Sequence, residues 1–566
     1  MPARASPELR QLASDYWESV LRFNPTYATF LGDSRYDDRL PDAGPGGREA
    51  ERSANSEFLQ RLNRIPQARL AHDDRITAHI LRTRLELSIE GHEHKFYQWE
   101  IDQLNGPQVW LLELVNFQPF KTLKNFEDFC SRLEKFPGYV SQYIANLREG
   151  LREGRTAPRV AWQRVVNQLQ ELTSTPHDRF PVLEAARRIP KEWPATRREK
   201  IARRLKDAVL EAILPSYWEL QKFLTEEYAA GVRDKVGVRH IAGGDRAYDY
   251  LVRLHTTASY PPRRLHEIGL DEVDSISREM KQIARRRGHR GNLPAFVQTL
   301  KKDASNFYRD RHSILEEFRR ILRRVDERLP RFFGRLPKIG YVVKPIEEYR
   351  EKDAPAAYYY GPPEDGSRDG IFYANTFAPH TRPRYNMAAL AVHEAVPGHH
   401  LQIAISAELK DLPRFRRHGG FTAFVEGWAL YTERLAVEMG IYESDLEHFG
   451  MLNYQAWRAA RLVVDTGMHA LGWTRERAVK YFRDRLSISD GETANEIDRY
   501  IIWPGQALAY KVGQREIAAL RSRAEKSLGG SFDLRSFHDE LLRHGGVPLS
   551  TLRQAVEAWI DSRRKE

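Results

Sequence analysis

The sequence predicts a mostly α protein, a large helical body carrying one small β-sheet. Three observations lead there. Apolar residues recur at three- and four-residue steps through most of the chain. One region, from Ile339 to Thr376, switches to runs of Tyr, Val, Ile and Phe parted by Pro and Gly. The composition, 41% hydrophobic and 30% charged over 566 residues, is that of a folded globular protein and excludes disorder.

The helical pattern opens at "PELRQLASDYWESVLRF" within an amphipathic N-terminal stretch. It continues through "SRLEKFPGYVSQYIANLREGLREG" and "RREKIARRLKDAVLEAILPSYWELQKFLTEEY". Breaks fall at "LPDAGPGG" and "SYPPRRLHEIG", where Pro and Gly cluster. The strand-like runs are "IGYVVKPI", "AAYYYG" and "GIFYANT", about three strands. An alanine-rich helix follows directly, then "GGFTAFVEGWALYTERLAVEMG" and two or three further helices. A rough division near residue 330 separates a helical N-terminal half (1–330) from a second half (331–566), the two read as one integrated fold.

Charge and cysteine narrow the classes. Lys and Arg number 89 against 78 Asp and Glu, net +11, a surplus that a solvated helical surface explains. The basic runs at Ala284 to Arg290 and Arg414 to His418 are short and carry no aromatic-and-basic recognition pattern, so no nucleic-acid partner is expected. The single cysteine, Cys130, allows neither an internal disulfide nor a thiolate cluster. No run approaches the roughly 20 apolar residues that span a bilayer, and the N-terminus lacks the apolar core of a signal peptide. These features lead to an expectation of a cytoplasmic protein with no membrane partner.

The chemistry concentrates in "MAALAVHEAVPGHHLQ". Two histidines four apart on a helix lie about 40° apart around it and roughly 6 Å apart along it, close enough to share a metal. Here the spacing is wrong for a straight helix. His399 would point about 240° from His393, and His400 would return to that face roughly 10 Å further on. Pro397 and Gly398 lift the restriction. Proline lacks the N–H a helix needs, and glycine reaches backbone angles closed to other residues. A break there can bring His399 back to His393, and Glu394 then stands where a general base takes a proton from the attacking water. The competing reading is an ordinary helix end with surface histidines. The pairs His92-Glu93 and His266-Glu267 lack such a cluster and are read as surface residues.

A third ligand is supplied by Glu426, a carboxylate set among Phe424, Val425 and Trp428, where it must be paired or bound. His, His, Glu with one open position is a common catalytic zinc set. Gly427 offers close approach to the histidine helix, and Glu433, two turns on, is read as a supporting carboxylate.

These segments resemble a known family. "HEAVPGHHLQ", "VEGWALYTE" and "RYIIWPGQALAYKVG" are similar to the domain of unknown function 885 family. So are "FNPTYATFLGDSRYDDRLPD", "RLVVDTGMHALGW" and "GIFYANT", so the resemblance covers nearly the whole chain. It implies a helical, metallopeptidase-like fold related to the gluzincin zinc peptidases, with the sheet beside the zinc-site helices. It also implies His399 rather than His400 as second ligand. "VEGWALY" resembles the "NEGFA" segment of zinc aminopeptidases, whose glutamate binds zinc.

Further candidates surround this core. Tyr510 and His469 are candidate donors to a tetrahedral oxyanion, with Asp465 one turn before His469 as its orienting partner. Arg499 is placed to clamp a substrate carboxylate, and Lys511 lies near it in sequence. Tyr373 and Asn375, on a strand read as an exposed edge, would line a cleft for an extended peptide; a plain core strand is the competing reading. "TANE", Thr493 to Glu496, reads as a capping box. Together these give the expectation of a hydrolase holding one Zn2+ per chain and acting on short peptides. The helical N-terminal half would wall the cleft, by analogy with helical oligopeptidases. A metal-binding scaffold and a hydrolase of non-peptide amides are the alternatives. No Gly-x-Ser-x-Gly elbow or phosphate loop is present.

Overall fold

The computed structural model describes residues 6–348, 351–352, 354–364, 366 and 368–565. The protein is mostly helical with one three-stranded sheet among the described residues. The first five residues of the amphipathic N-terminal stretch lie outside the description; its helix runs Pro7–Phe23, capped by the Ser6 side chain. The chain forms two compact units. The first holds the chain to Asp74 and Leu81–Gly244. The second holds Arg75–Ile80, Asp245–Pro362 and Gly366–Glu566.

The first unit is helical, and its core gathers Phe126, Phe129, Phe136, Phe180, Tyr217 and Tyr228. Cys130 is buried and free. Burial pushes its thiol up to about 12, so it is inert at neutral pH.

The second unit carries the elements that bear on function. Helices α1 (Pro262–Arg286) and α2 (Arg311–Asp326) precede strands β1 (Tyr341–Pro345), β2 (Ala357–Tyr360) and β3 (Gly370–Ala374). Then come α3 (Met387–Glu394), α4 (His399–Glu408), α5 (Thr422–Glu438), α6 (Asp445–His469), α7 (Asp490–Ile502) and α8 (Ala509–Leu528). The early division near 330 marks, within this unit, the step from α2 to the strands.

The strand order is β1-β3-β2, with β1 parallel and β2 antiparallel to β3. This corrects one expectation. "GIFYANT" supplies the central strand, with all five residues of β3 buried and both its sides paired. An extended peptide therefore cannot add to it. A run of Ile, Phe and Tyr without polar alternation is the pattern of a strand covered on both faces.

Two helices have no solvent face. All eight residues of α3 are buried, and in α6 every residue from Phe449 to His469 is buried. A helix enclosed all round belongs to the core, so each polar side chain on it needs a partner or a purpose. The capping box of α7 is formed by Ser489 and Glu492. Thr493, expected as the cap, is already inside the helix and bonds back to the Ser489 carbonyl. The serine wins because it lies nearer the loop end, with an acidic first turn after it.

Candidate metal centre

The break between α3 and α4 is built into the backbone. Ala395 leaves the helical region at φ −104°, ψ −104°, and the Val396–Pro397 bond is cis. The Gly398 N–H donates to the Val392 carbonyl at 3.0 Å, and the His400 N–H to the Ala395 carbonyl at 2.9 Å. A β-carbon on Gly398 would lie 1.9 Å from the His393 carbonyl oxygen, so only glycine fits. The Trp428 indole, fully buried, donates to the Pro397 carbonyl at 2.8 Å. The loop is thus tied to α5, the helix that carries Glu426.

That tie brings three side chains together. Nε2 of His393 and Nε2 of His399 lie 3.6 and 3.4 Å from the same oxygen, Oε2 of Glu426. The two rings stand 4.9 Å apart and nearly perpendicular, and the candidate ligand atoms all fall within 4.8 Å of one another. Ligand atoms about 2 Å from a tetrahedral metal sit roughly 3–3.5 Å apart, so the spacing is close to that of a metal site. Glu426 Oε2 is buried without a hydrogen bond among the described residues. A buried carboxylate oxygen left bare is costly, and a cation between the imidazoles would satisfy it.

Electrostatics point the same way. Burial alone pushes the Glu426 carboxyl up, but the His399 and His393 imidazoles outweigh it and hold the group well below the usual carboxylate range. Burial pushes the His393 imidazole down, yet Glu426 and Glu433 raise it to about 9. Two carboxylates flank one imidazole, and the cluster calls for positive charge on the Nε2 side.

Behind His393 stands Glu433, fully buried. His393 Nδ1 donates to Glu433 Oε1 at 2.8 Å, which leaves Nε2 free for a ligand role. Gln455 Nε2 donates to the other oxygen at 3.0 Å, and Lys511 Nζ donates to Gln455 Oε1 at 3.2 Å and Gln514 Oε1 at 2.6 Å. Burial brings Lys511 down to about 8. Glu394, beside His393, is 9% exposed and has no hydrogen bond or ion pair to a described residue. His399 Nδ1 likewise lacks a protein partner among them.

The other expected residues divide. The Tyr510 ring stacks on His393 at 6.3 Å. His400 faces away, its Nδ1 at 2.8 Å from the Tyr359 hydroxyl and its ring against Tyr341, fastening α4 to the sheet. His469 Nε2 bonds the Tyr500 carbonyl at 2.9 Å and its ring lies on Tyr248. Asp465 accepts from the Tyr248 hydroxyl and the Gly505 N–H rather than from His469. Arg499 is engaged by Glu496 and by Gln506 Oε1 at 2.9 Å. Tyr373 stacks on Tyr358 and meets Tyr360 edge-to-face, and the Asn375 amide donates to the carbonyls of Glu351, Ala354 and Pro355. Gly427 meets α8 instead of the histidine helix. Its added β-carbon would lie 2.5 Å from the Gly513 backbone, so two glycines let α5 and α8 cross.

Sequence reasoning passed over Arg458 and Arg461. Both are buried on α6 next to the cluster, and their one signal was position: two arginines in the otherwise apolar run "AWRAARLVV".

Residues 25–556 match the family described as "Bacterial protein of unknown function (DUF885)". The chain belongs to this family. Among solved structures, this DUF885 protein is similar to "the putative lipoprotein from Colwellia psychrerythraea". The identity is 27%, the TM-score 0.92, and 98% of this chain and 99% of that chain are covered. It is also similar to "a putative lipoprotein of unknown function from Shewanella oneidensis", at 19% identity, TM-score 0.75 and coverage of 96% and 99%. A third likeness, to a Pyrococcus furiosus carboxypeptidase, has 10% identity and a TM-score of 0.41 over 100% and 99% of the two chains, and carries no argument. Comparison with curated proteins gives no match.

The first of these likenesses overturns the cytoplasmic expectation: that Colwellia psychrerythraea protein is described as a "putative lipoprotein", and lipoproteins are a class held at a membrane by covalent lipid. Composition and a low cysteine count do not report on location, because a cytoplasmic protein and a lipid-anchored one without disulfides share the same profile. Among the described residues no helix is long and apolar enough to cross a membrane.

Proposed function

We propose that this DUF885 protein is a zinc-dependent hydrolase, a metallopeptidase acting on short peptides. One observation carries the reading: a bare, buried carboxylate oxygen on Glu426 faces Nε2 of both His393 and His399, with an unengaged Glu394 next in sequence to His393. The donor set of two imidazoles and one carboxylate fits zinc. Zinc held by these residues supplies Lewis-acid chemistry, polarising a carbonyl and making water more acidic. Glu394 takes the proton of the attacking water and passes it to the departing amine. Glu433 keeps His393 in the tautomer that presents Nε2. Tyr510, stacked on His393, offers its hydroxyl to the developing oxyanion. A metal-binding scaffold has no use for an unengaged Glu394. The likeness to the Colwellia psychrerythraea "putative lipoprotein" supports an envelope or secreted location, which cell fractionation tests.

Metal analysis of the purified protein should find about one zinc per chain, lost in His393→Ala and in Glu426→Ala; full retention in both removes the ligand assignment. Glu394→Gln should keep the zinc and lose turnover of a short-peptide library. A fully active variant removes the general base.

A further inference from the structure

Two arginines on α6 are buried with donors left open. Arg458 and Arg461 are 5% and 4% exposed. Three residues apart, they share one face of the helix, and both flank the Trp457 ring, at 5.3 and 5.4 Å. Each is linked to His393 by its own route. The Arg461 guanidinium lies 4.3 Å over the Tyr510 ring, which stacks on His393. Arg458 Nη2 is 3.9 Å from Glu433 Oε1, the oxygen that accepts from His393.

Their donors are incompletely used. Arg461 Nε donates to the Tyr500 hydroxyl at 2.7 Å and Nη2 to Glu496 at 3.0 Å, but Nη1 is buried with no partner among the described residues. Arg458 Nε and Nη1 are both buried and unpartnered. The nearby carboxylates do not cover the deficit. Glu496 already serves Arg499 and the Tyr500 hydroxyl, and Glu433 serves His393 and Gln455. Buried guanidinium N–H groups are costly to leave open, and a carboxylate is the group whose two oxygens match them.

We infer that Arg458 and Arg461 form an anion subsite beside the metal cluster that receives the terminal α-carboxylate of a short peptide. This rests on the peptidase reading and names its substrate class: the protein removes residues from the carboxyl end. Tyr510 touches both groups, its ring 4.3 Å from the Arg461 guanidinium and 6.3 Å from the His393 ring. That separation suits one or two residues of extended chain, about 3.5 Å each, between the cut bond and the terminal carboxylate. In the reaction, water adds across the C–N bond, its hydroxyl to the acyl carbon and its second proton to the leaving amine. Arg499, the residue first read as the clamp, is fully engaged; the role passes to its neighbours.

The test uses the zinc-loaded full chain and a library of N-acetylated tetrapeptides made as free acids and as C-terminal amides. Wild-type protein should cleave the acids at the last or next-to-last bond, with kcat/KM at least about 100-fold above the amides. Arg461→Ala should bring that ratio to within a few-fold of one, a change that general structural damage does not produce. Equal cleavage of acids and amides by the wild type overturns the inference and leaves the peptidase reading standing. Cleavage of amides confined to those with Asp or Glu after the cut also overturns it, assigning the subsite to a side-chain carboxylate. Affinity selection of both libraries on Glu394→Gln, read by mass spectrometry, separates the two claims. Selective retention of acids without any wild-type turnover supports the subsite and overturns the peptidase reading; equal retention overturns the subsite.

Discussion

Arg132 in the first unit and Arg458 in the second are both buried arginines, and they are buried in opposite ways. Arg132 is fully enclosed, and each of its nitrogens has a partner. Nε donates to the Arg39 carbonyl, Nη1 to Gln118, and Nη2 to Thr29 and the Tyr36 carbonyl. Burial lowers it only to about 10, so it stays charged and holds the 36–39 loop against its helix. Arg458 lies within a helix, makes one loose ion pair at 3.9 Å, and leaves two nitrogens bare. The first arrangement is closed and serves the fold. The second is open, and an open buried cation is a binding feature waiting for an anion.

The same contrast recurs on α5. Glu433 has both oxygens engaged, while Glu426, two turns earlier, has an oxygen with nothing on it but two imidazole nitrogens beyond hydrogen-bond geometry. Closed groups surround open ones, and the closed groups hold the open ones in place.

Substitution can break this comparison directly. Arg132→Met strands the Gln118 and Thr29 side chains and two carbonyls, and should cost about 3–5 kcal/mol in urea unfolding. Arg458→Met should cost less than about 1 kcal/mol in the same measurement, because no hydrogen bond is lost; equal losses would end the distinction. Next in size, Glu433→Gln should weaken zinc binding about 10–100-fold in a chelator competition with the fold intact. An unchanged affinity would make Glu433 a packing residue. Trp428→Phe removes the donor to Pro397 and should cost about 1 kcal/mol of stability with a several-fold loss in zinc affinity.

The last effect is spread over a range of pH and concerns a buried acid with no ion pair of its own among the described residues. Burial pushes Asp465 up to about 7, with the Tyr248 hydroxyl and the Gly505 N–H opposing only in part. The folded state then holds a proton between about pH 4 and 7 that the unfolded chain releases. Stability therefore falls as pH rises through that window, by at most about 1.4 kcal/mol per pH unit. Asp465→Asn should flatten the slope in unfolding curves taken from pH 4.5 to 7.5; a slope that survives the substitution locates the titration elsewhere.

Much of the fold was legible because its signals are local. Helical periodicity, the three aromatic strand runs and the Pro-Gly break at 397–398 act within a few residues. The spacing argument also reached the His393, His399 and Glu426 cluster, because helix geometry forbids His393 and His399 from meeting unless the helix breaks. Where the reading failed, the deciding contacts were distant. β3 became central because β1 and β2 pair on either side of it, and no pattern within "GIFYANT" records that. Gly427 met Gly513, 86 residues on, instead of the histidine helix.

The sequence by itself determined a helical protein with one small sheet, the two histidines and the glutamate that cluster, and the break that lets them converge. It did so because backbone preferences and side-chain chemistry are carried by short segments. Only the tertiary structure decided which polar groups close on each other and which stay open. Arg499 and Arg461 are indistinguishable as letters in helices. Their difference lies in which nitrogens a neighbouring helix reaches: Glu496 and Gln506 engage Arg499 throughout, while Arg461 keeps Nη1 bare, beside the ring stacked on His393.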